Sequence, residues 1–215
     1  MRVINPSYEI LGELYGMAIL AHIERIGRVC YKSEDRITDT SCVDFARMLI
    51  KRGHEAMIEH YSFSVKFICD RGVSHEIVRH RLASFAQEST RYCNYGKAGE
   101  VTFIRPLFFP RGHEFSPAWG AHCAQCEKIY LWMIEHGASP QEARSVLPNS
   151  LKTEIVMTAN LREWRHFLRL RTSKAAHPQM RELAVPLLLD LKKRIPVVFD
   201  DIVAECEQVG SAERA

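Results

Sequence analysis

The sequence predicts an α+β fold, and three observations carry that reading. Helical and strand periodicities alternate along the chain without the regular rhythm of a doubly wound parallel sheet. No Pro/Gly/Ser-rich linker divides it. At 215 residues, 47% of them hydrophobic, one domain can bury a sizeable core.

Arg2 to Ile4 reads as a short strand. Leu11, Leu14, Tyr15, Ala18, Ile19, Ile23 and Ile26 follow the helical period, with Gly27 as the expected stop. Cys42, Phe45, Ala46 and Leu49 mark a second helix, and Gly53 follows as a left-handed cap. From Tyr61 to Cys69 the apolar residues Phe63, Val65, Phe67 and Cys69 alternate with Ser62, Ser64 and Lys66, the pattern of a strand. Val101 to Arg105 is a further short strand. Ser116-Pro117 opens a long helix whose inward stripe is Trp119, Cys123, Cys126, Tyr130 and Met133, ending at Gly137. Ser139 and Glu142 form a capping box for the next helix. Leu151, Thr153, Ile155 and Met157 alternate with polar residues as in a strand. Asn160 to Arg171 is helical. His177-Pro178 starts a last long helix with Leu183, Leu187 and Leu191 inward and a bend at Pro186.

Composition limits the function. A charged content of 26% is ordinary for a soluble globular protein. No apolar run is long enough to cross a bilayer, and MRVINPSYEI lacks a signal peptide's apolar centre. The expected compartment is therefore the cytoplasm. Seven scattered cysteines are expected to be reduced, small core residues. A net charge of +3 argues against a general nucleic-acid coat but permits local anion sites.

The densest chemistry lies in RHRLASFAQESTRY, Arg79 to Tyr92. Arg79, His80 and Arg81 are consecutive and cannot share one face of a helix or strand. Arginines held close repel one another unless an anion or a carboxylate lies between them. A phosphate suits them, since it accepts forked hydrogen bonds from guanidinium. Ser89 and Gln87 can add neutral hydrogen bonds. The alternative is a surface ion-pair cluster with Glu76 and Glu88.

In the segment from Asn160 to Arg171, Arg162, His166 and Arg169 line one helical face, and Leu161, Trp164 and Leu168 line another. Such a helix suits a phosphate-bearing aromatic ligand, or simply a solvated amphipathic surface. Asn160 with Glu163 also makes a good N-cap. His54 and His60 stand six apart, so the HExxH zinc spacing fails. Cys123 and Cys126 form a lone CxxC without a second pair, on the inward stripe of a helix. No metal site is expected. Neither a P-loop nor GxGxxG nor a nucleophile elbow is present.

RHR, seven further residues and then Ser89 resemble the signature of the flavin-dependent thymidylate synthases. GHEAMIEH before the strand, QEARSVLP around Arg144 and NLREWRHFLRLR ending at Arg171 are similar to that family in the same order. The resemblance implies a single domain over residues 1–215, with a small, mainly antiparallel sheet packed by several long helices, assembling as a homotetramer with shared active sites. It implies reductive methylation of dUMP to dTMP, with methylenetetrahydrofolate giving the carbon and NADPH reducing bound FAD. It places Glu76, Arg79, Gln87, Ser89, Arg91, Arg144 and Arg171 on dUMP, with Arg171 at the uracil ring as the catalytic residue. It places His54, Glu59, Arg79, His80, Arg81, Gln87, Asn160, Arg162 and His166 on FAD. No nucleic acid and no membrane are implied as partners. The chain departs from the family at Ala86-Gln87, where many members have Asn-Glu, at Ala56, where a hydroxyl is common, and at His166, where some have asparagine. Two other readings compete: a nucleotide- or RNA-binding protein using the same arginines, and a metal hydrolase using His54 and His60.

Overall fold

A computed structural model describes residues 1–204. The elements run β1 (Arg2–Ile4), β2 (Ser7–Leu11), α1 (Gly16–Val29), α2 (Ser41–Arg52), β3 (Ser62–Asp70), α3 (Arg71–Ile77), β4 (Ser84–Gln87), β5 (Thr102–Ile104), α4 (Ser116–Glu135), α5 (Pro140–Ala143), β6 (Lys152–Asn160), α6 (Leu161–Arg171) and α7 (Pro178–Arg194). The fold is α+β, with a small, mainly antiparallel sheet of strand order β2-β3-β6-β4. β1 pairs with β5 in parallel, Val3 opposite Phe103. Among the described residues, no helix is long and apolar enough to cross a membrane. The chain forms two compact units. One comprises Met1–Glu9 and Val65–Met157, the other Ile10–Ser64 and, among the described residues, 158–204.

In the first unit, alternation along β3 and β6 buries Val65, Phe67, Cys69, Ile155 and Met157 on one side, as a half-buried sheet requires. A core of Val101, Phe103, Cys123, Tyr130, Ala143 and Leu151 gathers under α4, with Trp119 and Met133 packed against it as the stripe predicts. α4 ends in a Schellman-type turn at Gly137, whose φ is 92°, with Ala138 N–H donating to Met133 O. The Ser139–Glu142 capping box is present, the Ser139 N–H donating to Glu142 Oε2 over 2.8 Å. The Ser139 hydroxyl, which also donates to Glu142 Oε2, and then this N–H hold the Glu142 carboxyl below its ordinary pKa. The helix it starts closes after one turn and passes into a 3-10 turn at Arg144–Val146.

In the second unit, α1 packs on α2, and Ile19, Leu20 and Ile23 are buried. The expected helix from Leu11 to Gly27 needs correction at both ends. Leu11 closes β2, and α1 begins only at Gly16. Gly27 lies inside α1 rather than ending it. Its role is steric: a Cβ there would sit 2.6 Å from Phe45 Cε1. Gly27→Ala is therefore expected to destabilise the protein by about 1–3 kcal/mol, the usual range for overpacking. Urea denaturation checks this, and an unchanged midpoint would show that Phe45 moves aside freely. Gly53 caps α2 at φ 68° as expected. Leu183, Leu187 and Leu191 of α7 are buried, and Pro186 stays within that helix.

The cysteine expectation also needs correction. Cys42, Cys69, Cys123 and Cys126 are buried free thiols, but Cys30 is exposed and Cys93 only partly covered. Cys206 lies outside the described residues. Burial pushes the Cys123 thiol up to about 11, and raises Cys126 as well, which disfavours the thiolate form at both.

Candidate active site

The first unit carries the signature. Asp70 caps α3 through its carboxylate, which accepts from Val73 N–H at 2.8 Å. This fixes the helix that bears half-buried Glu76 and ends just before Arg79, His80 and Arg81. His80 is buried, whereas Arg79 and Arg81 are exposed and have no ion-pair partner among the described residues.

β4 then brings in the second half of the motif. The Gln87 amide donates to Ser74 Oγ at 2.9 Å and to Thr153 Oγ1 at 3.2 Å. Both hydroxyl residues are buried, so the Gln87 amide protons are committed to the scaffold. Its amide oxygen is the group left to meet a ligand. A tight turn follows. Tyr92 and Cys93 N–H both donate to Ser89 O, and Arg91 N–H donates to Ser89 Oγ. Arg91 Nε donates to Gln141 Oε1 at 3.2 Å, and Arg144 Nη1 donates to Thr90 Oγ1 at 3.2 Å.

Ser89, Arg91 and Arg144 thus gather around one turn. Among the described residues, Arg91 and Arg144 have neutral partners and no carboxylate. Of the expected alternative, an ion-pair cluster with Glu76 and Glu88, the Glu88 half does not form with these arginines among the described residues. Glu88 instead accepts from Tyr95 Oη at 2.9 Å and Lys152 Nζ at 3.0 Å. Thr90, Gln141, Tyr95 and Lys152 were not singled out in the sequence. Gln141 was within reach, since it stands three residues before Arg144 in the QEARSVLP segment.

The second unit holds the other predicted group. The Asn160 side chain caps α6, accepting from Glu163 N–H at 2.9 Å, so its carbonyl oxygen is occupied. Trp164 stacks on Phe63 at 4.9 Å and donates to Phe63 O, which fixes the rotation of the helix. That rotation carries Arg162, Arg165 and Arg169 to the Glu55–His60 segment. Arg162 pairs with Glu59 at 2.5 Å and Glu55 at 3.7 Å. Arg169 pairs with Glu55 at 3.5 Å and Asp201 at 3.1 Å.

Arg165, assigned no role in the sequence, is the hub. It is 1% exposed, bonds Asp201 bidentately at 2.7 and 2.8 Å, reaches Glu55 at 3.1 Å and donates to Val198 O. Three guanidiniums therefore face three carboxylates. On the face expected to be basic, Arg162 and Arg169 are thus ion-paired, because Glu55, Glu59 and Asp201 arrive from distant parts of the chain. Burial raises the Glu163 carboxyl above its ordinary pKa, and the His166 charge opposes that rise. His54 and His166 are exposed, and Arg171 is half-buried at the end of α6. His60 lies at the end of the same segment, its backbone oxygen against His22 Nε2 at 3.3 Å.

A family model described as thymidylate synthase complementing protein matches residues 17–197. A flavin-dependent thymidylate synthase of Pyrococcus furiosus is 34% identical over 166 residues, covering 76% of this chain and 68% of that protein. One of Corynebacterium aurimucosum is 31% identical over 199 residues, covering 84% and 79%. A UMP/dUMP methylase, PolB of Streptomyces cacaoi, solved with 5-Br dUMP, superposes with a TM-score of 0.77 at 22% identity, covering 93% of this chain and 95% of that one.

Proposed function

Because the chain belongs to the thymidylate synthase complementing protein family, we propose that it is a flavin-dependent thymidylate synthase that methylates dUMP to dTMP. Methylenetetrahydrofolate is the carbon donor, and NADPH is the reductant of bound FAD. The observation that supports this best is the pair Arg91 and Arg144, held around the Ser89 turn with only neutral partners among the described residues. Two guanidiniums left without a carboxylate fit a phosphate monoester, which accepts forked hydrogen bonds. Ser89 adds a hydroxyl, and Gln87 presents its amide oxygen. Glu76, Arg79 and Arg171 complete the dUMP set.

The donor set also fits FAD, whose pyrophosphate is a dianion. Exposed Arg79 and Arg81 flank buried His80 in the first unit, and His54, Glu59, Asn160, Arg162 and His166 are the candidates in the second. Gln87 is shared. Arg162 is already paired with Glu59, so it holds the flavin together with that carboxylate. Asn160 caps α6 with its oxygen and has its amide protons to offer. The flavin supplies the redox chemistry when bound. The chain's residues bind and orient the nucleotide, and the Arg171 cation stabilises negative charge that develops on the uracil oxygen as C5 becomes nucleophilic. The whole chain acts as one catalytic domain, as a homotetramer in the cytoplasm.

The test is the absorbance spectrum of the purified protein. A flavin band that bleaches anaerobically with NADPH, with dTMP formed only when dUMP and the folate are present, is expected. A colourless protein that takes up no added FAD contradicts the reading. Arg91→Ala is expected to weaken dUMP binding by about 1.5–3 kcal/mol, the range for a hydrogen bond to a charged group. Calorimetric titration of the FAD-loaded variant checks this, and unchanged affinity removes Arg91 from the phosphate site.

A further inference from the structure

The turn that carries Ser89 and Arg91 also carries a carboxylate, Glu88, immediately before Ser89. A negative charge there would compete with any anion for the guanidiniums of Arg91 and Arg144. The structure shows how it is turned away. Side chains alternate across a strand, so at the end of β4 Gln87 points to Ser74 and Thr153 while Glu88 points to the opposite side. There the Glu88 backbone N–H donates to Glu154 O at 2.8 Å. Its two carboxylate oxygens are taken separately, Oε1 by the Tyr95 hydroxyl at 2.9 Å and Oε2 by Lys152 Nζ at 3.0 Å. Both members of the ion pair are largely covered, with side chains 16% and 19% exposed.

Lys152 is shared with Glu154 at 2.6 Å, so it stands between two carboxylates on a cleft of about 500 Å³ that Lys66, Ala86 and Cys93 also line. Burial pulls the Lys152 ammonium down, and Glu154 and Glu88 more than reverse this, so it stays charged. Burial, with Glu88 adding to it, raises Tyr95 above the ordinary phenol range, so Tyr95 remains a donor.

We propose that Lys152, seconded by Tyr95, is a positioning residue that holds the Glu88 carboxylate away from the Ser89–Arg91–Arg144 turn and so keeps that turn electropositive for a phosphate monoester. The inference rests on the reading that this turn binds the dUMP phosphate. Lys152 and Glu88 act through the field at the turn and need not touch the nucleotide.

The test is a mutant cycle read as dUMP affinity of the FAD-loaded protein, at a temperature far below unfolding. Lys152→Gln frees Glu88 and is expected to weaken dUMP about tenfold, on the order of one unscreened charge several ångströms from the phosphate. Glu88→Gln alone is expected not to weaken it. Glu88→Gln added to Lys152→Gln is expected to restore affinity to within about twofold of the parent, since the side chain next to Ser89 is then neutral. Tyr95→Phe, which removes the second restraint without touching a charge, is expected to weaken dUMP about threefold. It reports on the proposal where Lys152→Gln does not fold.

Unchanged affinity in Lys152→Gln overturns the proposal. So does an equal loss in Lys152→Gln and in the double variant, which is what a merely distorted sheet would give. Failure of the parent protein to bind dUMP at all would overturn the functional reading, and this inference with it. A parent that binds while the cycle shows no rescue isolates the fault to Lys152.

Discussion

Arg165→Ala is expected to lower folding stability by about 3 kcal/mol, the low end of the range for stripping one partner from a buried ion pair. The low end applies because Asp201 is 44% exposed, so its loss of a partner is partly screened by water. Glu55, at 19% exposure, loses more, and the Val198 carbonyl loses its guanidinium donor. Arg162→Ala, which removes a guanidinium 54% exposed from the same network, should cost far less, because water screens an exposed pair. Denaturant titration of both variants decides the matter. Equal losses would mean that burial of Arg165 contributes nothing beyond a surface pair.

The pH dependence has a definite sign. Burial pushes the Asp201 carboxyl up, but Arg165 and Arg169 pull it further down, so its folded pKa lies below the usual carboxylate value. That stabilisation is fully present above about pH 4 and is lost as pH falls through the folded pKa. The parent should therefore lose stability on acidification more steeply than Arg165→Ala does.

Arg171→Ala is expected to reduce turnover about 10²–10³-fold, the usual cost of removing a charge-stabilising donor, while FAD stays bound. The reason is differential: a cation near the uracil oxygen does little for the neutral ring and much for the enolate-like ring that attacks the methylene group. Arg171→Lys keeps the charge but not the fork, so it should recover part of the loss. Single-turnover dTMP formation, with the flavin absorbance as the control for loading, separates the two effects. Normal turnover in Arg171→Ala would remove Arg171 from the ring.

The elements that sequence periodicity could see are those whose burial is decided within the element. The alternation of Phe63, Val65 and Phe67 needs only one covered face. The caps at Gly53 and Asn160 need only local backbone geometry. Gly27 was misread because its reason is a ring, Phe45, from another helix. α3 went unassigned although Asp70, an N-cap residue standing three before Val73, was a readable signal.

The site divides the same way. The spacing of Arg79, Ser89 and Arg91 is local and readable as a motif, whereas the tight turn at Ser89 appears only in the backbone hydrogen bonds. The neutralisation of α6 was out of reach, because Arg165 meets Glu55 from 110 residues away and Asp201 from 36. Likewise nothing in the string SFAQES says that Glu88 turns toward Lys152, 64 positions on.

The three tryptophans divide between the two compact units, Trp119 and Trp132 on α4 and Trp164 on α6. Trp164 is fully buried against Phe63, whereas Trp132 is 57% exposed. With Trp119, which is partly covered, replaced by Phe, the other two resolve by colour: a blue-shifted emission shielded from acrylamide comes from Trp164, and a red-shifted, quenchable one from Trp132. One cuvette can follow each half of the molecule through a melt without any label being attached.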